Sequence, residues 1–333
     1  MGSKALRIVQ SKIEAAWGTP LAAAAKWMGI EDCSVTVIPT VAGARFLRGD
    51  ATNRHVQYLN GKTGTARISQ YLTFEDAIMA LDSAVKGSVA PSTLDTSGRQ
   101  YDYPFTQAVP AQRSRTLELY DGETEYELSG AYCSSVEIRG TQGNDGIVRM
   151  NTEWVGKVVT PDTVTASLPA RTVDALPTGV CHLYVDAIGG TIGTTIKAGA
   201  LIDWVFKASN GAHVKFFQGD TSPSAANFRE WDLSFGFTLE AGSIANAELV
   251  KLQAGTSSLF RIKGVSSVLA GASTQYKEFR VDVAGMYTDP STLWGDRDGN
   301  TTIPFAVTPA YDSTWANSAM LTTINKLTAF PDA

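Results

Sequence analysis

A change from strand periodicity to helix periodicity between Thr63 and Gly87 constrains the fold more than any other feature of the sequence. Polar and apolar side chains alternate over residues 67–72, which is the period of a strand with one buried face. From Thr73 the spacing becomes helical, and one apolar side is formed by Phe74, Ile78, Leu81 and Val85. Because Thr73 is a good N-cap and Gly87 a good helix end, the stretch predicts a strand followed by a short amphipathic helix.

A similar pattern recurs near the other end of the chain. Residues 279–284 alternate, and Asp289 followed by Pro290 predicts the start of a much shorter helix. Another alternating strand that ends at a glycine precedes each copy, over Cys33–Gly43 and Trp231–Gly242. We therefore predict a duplicated module. The alternative is that alternating strands look alike in any β protein.

Composition favours a mainly β protein with short helices. The 333 residues include 30 Gly and 13 Pro and are 44% hydrophobic, which is enough for two packed domains. The formal net charge is −5, and no Lys/Arg-rich run occurs. This balance argues against a surface made to grip the phosphates of a nucleic acid.

Sequence motifs for catalysis, cofactors or a membrane are missing. The three cysteines form no C-x-x-C pair, the three histidines lack metalloprotease spacing, and no apolar run is long enough to span a bilayer. Carboxylates could still meet in the fold, Glu137 with Glu153 or Asp282 with Asp289, as in a glycosidase pair. The alternative is that they lie on solvated strand faces. We predict no catalytic centre, no cofactor and no membrane partner.

One local pattern resembles an ion-binding loop. Asp296, Asp298 and Asn300 alternate around Gly299, as oxygen ligands do in calcium loops. The twelfth position counted from Asp296 is Val307, which has no side-chain oxygen. A tight turn is therefore the favoured interpretation, and a calcium site is the alternative.

Tryptophans allow a rival function. Trp154, Trp204, Trp231 and Trp294 could form sugar-stacking platforms in a β-sandwich lectin. Trp154 and Trp231 fall within alternating strands, however, where large aromatic side chains usually lie in the core or at subunit contacts. A carbohydrate-binding or carbohydrate-active protein is therefore kept as an alternative.

Several segments resemble the tail tube proteins of long-tailed bacteriophages. "SKIEAAWGTPLAAA" is similar to the opening of that family. "YCSSVEIRG", "GIVRMNTEWVGK" and "EWDLSFGFTLEAG" resemble its paired long strands, and "FRVDVAGMYTDPSTLW" resembles its closing strand and short helix. The resemblance covers residues 8–310, and its specificity lies in the order of the segments. The chain is about twice as long as a single tube module, which duplication explains.

The resemblance implies tandem β-sandwich modules that join an intersubunit β-barrel. The expected organisation is an N-terminal arm (residues 1–30), a first module (31–170), a second module (171–310) and a C-terminal arm (311–333). Copies of the chain would form stacked rings in the virion tail after assembly in the host cytoplasm. Further partners would be the tape measure, terminator and distal tail proteins, and genomic DNA would pass through the lumen without specific binding. A phage depolymerase or a tail terminator is the alternative.

The resemblance also implies roles for particular residues. The long loop from Ala44 to Lys62 is expected to contact the next ring through Phe46, Leu47, Val56, Tyr58 and Leu59. The alternative is that it folds back as an ordinary hairpin over its own core. The acids expected to face the lumen are Glu137, Glu153, Asp232 and Asp282. Because six modules usually close such a ring, a chain with two modules predicts a trimer with pseudo-sixfold symmetry. The alternative is a ring of six complete chains.

Overall fold

Antiparallel strands make up most of the chain, so the predicted mainly β fold with short helices is confirmed. The structure, a computed structural model, describes residues 4–44, 56–108, 111–143, 146–271, 274–288 and 293–333. The two α-helices within these ranges are α1 (Ala77–Ala84) and α2 (Ser243–Gln253). Neither has the length and apolar character needed to cross a lipid bilayer.

The strands are numbered in chain order. Those before residue 165 are β1 (Ile8–Ile13), β2 (Ala25–Lys26), β3 (Ile30–Ala44), β4 (Val56–Tyr71), β5 (Ser92–Thr93), β6 (Arg99–Phe105), β7 (Arg115–Tyr120), β8 (Glu125–Thr141), β9 (Arg149–Gly156) and β10 (Val158–Pro161). Those after it are β11 (Cys181–Ala187), β12 (Leu201–Ser209), β13 (His213–Lys215), β14 (Ala225–Asn227), β15 (Asp232–Glu240), β16 (Ser257–Leu269), β17 (Tyr276–Thr288), β18 (Gly295–Arg297), β19 (Asn300–Pro309) and β20 (Ala319–Asn325).

The wide sheet is formed by seven strands in the order β3–β4–β9–β8–β12–β15–β19, all antiparallel. Its central contact joins β8 from the first half of the chain to β12 from the second half. The register of that contact runs from Thr141 opposite Asp203 to Ser135 opposite Ser209. Strands from the two halves therefore lie edge to edge within one molecule.

Among the described strands, two further multi-stranded sheets lie beside the wide sheet, and β13 and β14 form a separate two-stranded hairpin. The covering sheet has the order β11–β16–β17–β20–β6–β5, and the end of β17 also pairs with β19 of the wide sheet. The small sheet has the order β2–β1–β7–β8–β10. Aromatic rings fill the space where the covering sheet meets the wide sheet. Phe237 stacks on Phe305 with centroids 5.4 Å apart, and Phe260 meets Tyr287 edge-on at 5.1 Å.

Strand β8 belongs to two sheets and changes direction at Gly130. Its first part pairs with β7 and β10, and its second part with β9 and β12. Gly130 has a φ of 63°, a conformation that glycine adopts without strain. Its N–H donates to Glu14 Oε1 at 2.7 Å, and its carbonyl accepts a hydrogen bond from Trp17 Nε1 at 3.0 Å. The N-terminal segment therefore holds the bend in place.

Helix α1 lies where the sequence predicts a helix, but it is shorter and not amphipathic. Every residue from Ala77 to Ala84 is buried, because the helix packs between β8 and β6. Thr73 caps the turn that leads into the helix, as predicted: its hydroxyl accepts the backbone N–H of Asp76, and its carbonyl accepts that of Ala77, the first helical residue. Asp82, a polar position of this pattern, pairs with Arg113 and Arg115 instead of facing water.

Within the described residues, the second α-helix is α2. The helix predicted to begin after Asp289 falls on residues that the structure does not describe. Residues 289–292 lie outside the described residues, and the chain continues through a bend at Leu293 and Trp294 into β18. Helix α2 follows β15, between the alternating stretches Trp231–Gly242 and 279–284, where no helix is predicted from the sequence. Its end is a glycine cap, because Gly255 has a φ of 61° and donates its N–H to the Leu252 carbonyl. A hairpin followed by a helix thus occurs in both halves, as β3–β4–α1 and β12–β15–α2.

Strands of the predicted arms and modules are interleaved. Residues 311–333, expected as a C-terminal arm, contain β20, which lies between β17 and β6 in the covering sheet. Residues 1–30 contain β1, which lies between β2 and β7 in the small sheet. One contiguous cluster of buried apolar side chains runs through strands of both halves. Strand pairing is non-local, and for this reason the sequence pattern does not reveal these neighbours.

A buried ion network ties the end of the chain to the small sheet. Arg115 in β7 is fully buried and donates from Nε to Asp332 Oδ2 at 2.7 Å and from Nη2 to Asp82 Oδ2 at 3.1 Å. Ser11 Oγ in β1 also donates to Asp332, at 2.7 Å. Burial by itself raises the pKa of Asp332, but the Arg115 charge and these hydrogen bonds hold that pKa below its ordinary value.

Replacing Asp332 by alanine should therefore destabilise the protein strongly. Asp332→Ala leaves the Arg115 guanidinium buried with one partner fewer, and we expect the free energy of unfolding to fall by about 3–5 kcal/mol. Urea unfolding followed by circular dichroism measures this. The matched control is Lys12→Ala, which removes the exposed hydrogen bond from Lys12 Nζ to the Ala333 carbonyl and should cost less than about 0.5 kcal/mol.

The wild type and Asp332→Ala can also be compared as a function of pH. Because the folded pKa of Asp332 lies below its ordinary value of 3.8, its stabilising contribution is present above that pH. It is lost as the pH falls through the folded pKa. The stability difference between wild type and Asp332→Ala should shrink in strongly acidic solution. A difference that stays constant there would contradict the assignment.

Candidate assembly surfaces

The outer face of the wide sheet is polar across its width. Side chains that point away from the core alternate with buried ones along β8, β9, β12, β15 and the part of β4 that pairs with β9. One register row crosses six strands and consists of Ser34, Arg67, Glu153, Ser135, Ser209 and Asp232. Because the row joins both halves of the chain, the face is a single continuous surface rich in hydroxyl and charged groups.

Three of the four acids predicted to face a lumen share this outer face. Glu137, Glu153 and Asp232 lie on β8, β9 and β15 and are exposed or half-exposed. Lys207 Nζ lies 2.8 Å from Glu137, and Arg67 Nη2 lies 3.1 Å from Glu153. Glu137 and Glu153 are therefore each paired with a cation on a neighbouring strand, and the two carboxylates are not bound to each other.

Asp282, the fourth predicted acid, lies elsewhere. It is in β17 of the covering sheet and is fully buried, with both carboxylate oxygens bound by Arg261 at 2.6 and 2.7 Å. The backbone of Gly193 passes over Arg261, in a loop held down by Asp186. Burial raises the pKa of Asp282, and the Arg261 charge opposes this rise. Alternation places Asp282 on the face away from the core, but it cannot show that a loop covers this face. Asp289, its proposed partner, lies outside the described residues.

The predicted contact loop is the end of a long two-stranded ribbon. From Ile38 opposite Thr63 onward, β3 and β4 pair only with each other, because β9 ends opposite Gly64. Tyr58 is 60% exposed and Leu59 is 55% exposed, and Val56 is half-buried. Phe46 and Leu47 lie outside the described residues. The described part of this ribbon extends from the sheet rather than folding over the core.

Residues 210–231 of the second half form a lobe that contacts the ribbon, and we call this lobe the brace. It contains the hairpin β13–β14 and connects β12 to β15, as the ribbon tip connects β3 to β4. The backbone N–H of Lys62 donates to the Thr221 carbonyl at 3.1 Å. Phe216 lies against Gly61, where a Cβ would come within 2.8 Å of its ring, so a larger residue there would displace the ring. Two adjacent phenylalanines beside a turn cluster were the sequence signal for this brace, which the sequence analysis missed.

Strand β3 is an open edge of the wide sheet. It pairs with β4 on one side, and no strand among the described ranges pairs with its other side. Val37 and Ile38 on this strand are 46% and 44% exposed. Long apolar edge strands are templates for pairing with another chain, and Pro39 interrupts the row of backbone donors at one position only.

The candidate ion loop is a tight hairpin turn between β18 and β19. Arg297 pairs with Asn300, and the two residues between them, Asp298 and Gly299, have φ values of 54° and 82°. Asp296 Oδ1 accepts the Gly299 N–H at 3.2 Å. Within the described residues, no group of three or more His, Cys, Asp or Glu side chains is arranged to hold a metal ion. Turn geometry accounts for these residues.

Most tryptophans proposed as sugar platforms are not exposed. Trp154 and Trp204 are 1% and 3% exposed, and Trp231 is half-buried against Phe105. Trp294 alone of the four is open to solvent, with 86% of its surface exposed. The prediction that the strand tryptophans pack inside the protein therefore holds for Trp154, and Trp294 needs a separate explanation.

Replacing the buried Asp282 should destabilise the protein far more than replacing the exposed Glu153. Asp282→Ala leaves the partly buried Arg261 without the buried carboxylate that binds it, so we expect a loss of about 3–5 kcal/mol in the free energy of unfolding. Glu153→Ala breaks an exposed pair and should change it by less than about 1 kcal/mol. Urea unfolding of both variants gives the comparison. Equal losses would mean that the two acids occupy similar surroundings.

Sequence comparison assigns no function to these surfaces. No protein-family model matches the chain, and no curated protein matches it. The function must therefore be argued from the polar face, the open edge and the ribbon.

Proposed function

We propose that this chain is a structural protein of a bacteriophage virion that polymerises into the tail tube, the conduit for genomic DNA. Copies would join side by side through the wide sheet into rings, and rings would stack into a tube. The proposal rests on the sequence resemblance to tail tube proteins together with the surfaces described above. It includes no catalytic role.

The observation that carries the proposal is the pairing of β8 with β12 beside an open β3. Within one chain, a strand of the first half already lies edge to edge with a strand of the second half. The far edge of the first half, β3, has no strand partner in the described residues and offers the same kind of pairing to another copy. Pairing it there would remove the exposed edge and continue the sheet around a ring.

The polar face suits a surface past which DNA must slide. Its hydroxyl groups are interspersed with charges of both signs, and the cations Arg67 and Lys207 are held by Glu153 and Glu137. A cation already paired with a carboxylate attracts a phosphate less strongly than a free one. We therefore assign this face to the lumen, and the covering sheet to the outside of the tube.

The ribbon and its brace suit contact between rings. Both extend from the same end of the wide sheet, because Ala44 opposite Val56 and the start of β15 lie at that end. Tyr58, Leu59 and Phe217 are each more than half exposed there. A contact between unlike ends of a protein repeats without closing and so generates a filament. The tape measure, terminator and distal tail proteins are the further partners that this role implies.

The number of chains that we propose for a ring is based on the wide sheet, to which both halves of the chain contribute strands. If each half contributes one block of strands, three chains supply six blocks, and one of every two contacts is the intramolecular β8–β12 contact. Covalent linkage raises the effective concentration for that contact. The alternative of six complete chains would use one half for the lumen and place the other outside.

Electron microscopy of the purified protein tests the proposal. We expect rings or hollow filaments of uniform bore, and class averages without imposed symmetry should show three chains with six similar inner lobes. Native mass spectrometry of single rings counts the chains. Six outer lobes of full-chain mass would refute the trimer and leave the proposal of a tail tube standing. A protein that stays monomeric at all concentrations would refute the tube.

Removing the ribbon tip should prevent stacking without unfolding the protein. Deletion of residues 48–57 removes Val56 and Gln57 of β4 together with residues outside the described ranges, and it leaves the part of β4 that pairs with β9. We expect an unchanged far-ultraviolet circular dichroism spectrum and no tubes in micrographs. A control variant, Val250→Ala, changes an exposed apolar side chain of α2 and should form normal tubes. Normal tubes from the deletion variant would contradict the assignment.

A further inference from the structure

Lys277 in β17 is a buried lysine that contacts two carboxylates. It is 5% exposed, and no other lysine in the described ranges is buried. Its Nζ donates to Glu75 Oε1 at 2.5 Å and also contacts Asp174 Oδ2. Glu75 is likewise 5% exposed. A primary amine, a carboxyl group and a second carboxylate therefore meet in a place from which water is largely excluded.

Backbone hydrogen bonds hold these three groups together. Glu75 lies just before α1, and Asp174 lies in the connection between β10 and β11. The Asp174 N–H donates to Glu75 Oε2 at 3.0 Å, and the Asp174 carbonyl accepts the N–H of Phe74 at 3.1 Å. Because the backbone on both sides of the contact is fixed, the amine and the carboxyl group have an effective concentration far above that of free groups in solution.

This arrangement differs from the other buried ion pairs described above. Asp82, Asp282 and Asp332 bind arginine, whose guanidinium stays protonated and cannot act as a nucleophile. At Glu248, two lysines share one carboxylate. At Lys277 one amine contacts two carboxylates, so one of them can react while the other transfers protons.

We propose that Lys277 and Asp174 form an intramolecular isopeptide bond and that Glu75 transfers the protons. The inference concerns a single chain and does not depend on the proposed tube. Lys277 Nζ attacks the carboxyl carbon of Asp174, an N–C bond forms, and one C–O bond of the carboxyl group breaks. The ammonium and the carboxylate together lose one water molecule, so the reaction needs no oxidant, nucleotide or other co-reactant.

Protons move only among the three groups. Burial lowers the pKa of Lys277, but the hydrogen bonds and charges of Asp174 and Glu75 raise it above its ordinary value. The free amine is therefore formed by proton transfer to Asp174 rather than by loss of a proton to water. Glu75 accepts a second proton from the attacking nitrogen and returns it to the departing oxygen, which leaves as water. The three groups carry one net negative charge before and after the reaction.

Burial favours the linked product. An ammonium and a carboxylate in a poorly solvated place cost free energy, whereas the amide that replaces them is neutral. The new amide N–H can keep the hydrogen bond that Lys277 makes to Glu75. The Asp174 side chain is 28% exposed, which leaves a path for the released water to solvent.

The bond would join the covering sheet to the connection between the two halves of the chain. The linked residues are 103 positions apart, and the segment between them contains β11 to β16 and α2. A cross-link over so long a segment restricts the unfolded chain and thereby stabilises the folded one.

Mass spectrometry of the denatured wild-type protein tests for the bond. We expect a mass lower than that of the sequence by one water molecule. Trypsin does not cleave after an acylated lysine, so digestion should give a branched peptide that joins residues 172–197 to residues 264–280. Fragmentation of this peptide should place the link on Asp174. The exposed pair of Lys207 and Glu137 is the internal control, and its peptides should stay unlinked.

Variants of the three residues separate their roles. Lys277→Arg keeps the charge and Asp174→Ala removes the carboxyl group, and both should have the full mass of their sequences. Asp174→Asn should still form the bond but release ammonia, so its mass should be lower by one ammonia molecule. Glu75→Gln keeps the size of the side chain without the base. We expect it to slow bond formation by about 100-fold in samples taken at intervals after cell-free synthesis.

The wild-type measurement decides the inference even if a variant fails to fold. Folded wild type with the full sequence mass and no branched peptide would overturn it and leave the tube proposal standing. A link placed on Glu75 instead of Asp174 would overturn the assigned roles. Linked wild type that stays monomeric in micrographs would support the bond and refute only the tube.

Discussion

The whole fold depends on one strand taking part in two sheets. Because β8 pairs with β7 and β10 before its bend and with β9 and β12 after it, the small sheet, the first half and the second half all meet on it. The bend requires Gly130, whose positive φ and two hydrogen bonds fix the angle between the sheets. A strand fixed in this way determines where the wide sheet lies relative to the N-terminal segment.

Buried charges hold the other parts of the chain around α1. The residues just before and within this helix carry three acids, and each binds cations from a different part of the sequence. The pairs are Glu75 with Lys277, Asp76 with Arg171, and Asp82 with Arg113 and Arg115. Replacing one member of such a pair leaves a charge in a poorly solvated place. The helix therefore selects one arrangement of distant segments, although its own length contributes little stability.

Local periodicity accounts for the parts of the fold that the sequence could predict. Alternation identifies the strands around Arg67 and Val281, and the switch of period locates α1. Alternation also predicts that Glu137, Glu153 and Asp232 lie on the outer face of their strands. Alternation cannot identify strand partners far away in the sequence, so the place of β20 beside β6 was not predictable. For α2, Ile244, Glu248 and Leu252 have helical spacing, but the buried Glu248 is charged, so apolar periodicity alone does not identify this helix.

Contact with the lobe of residues 210–231 makes the ribbon more rigid than an isolated pair of strands. A two-stranded ribbon in water is marginally stable and samples many orientations. The packing of Phe216 against Gly61 and the hydrogen bond from Lys62 to Thr221 join the ribbon to a second support. Its motion at the base is thereby restricted before any partner arrives. Less conformational entropy is then lost on association, so a modest apolar surface at Tyr58 and Leu59 can give a firm contact.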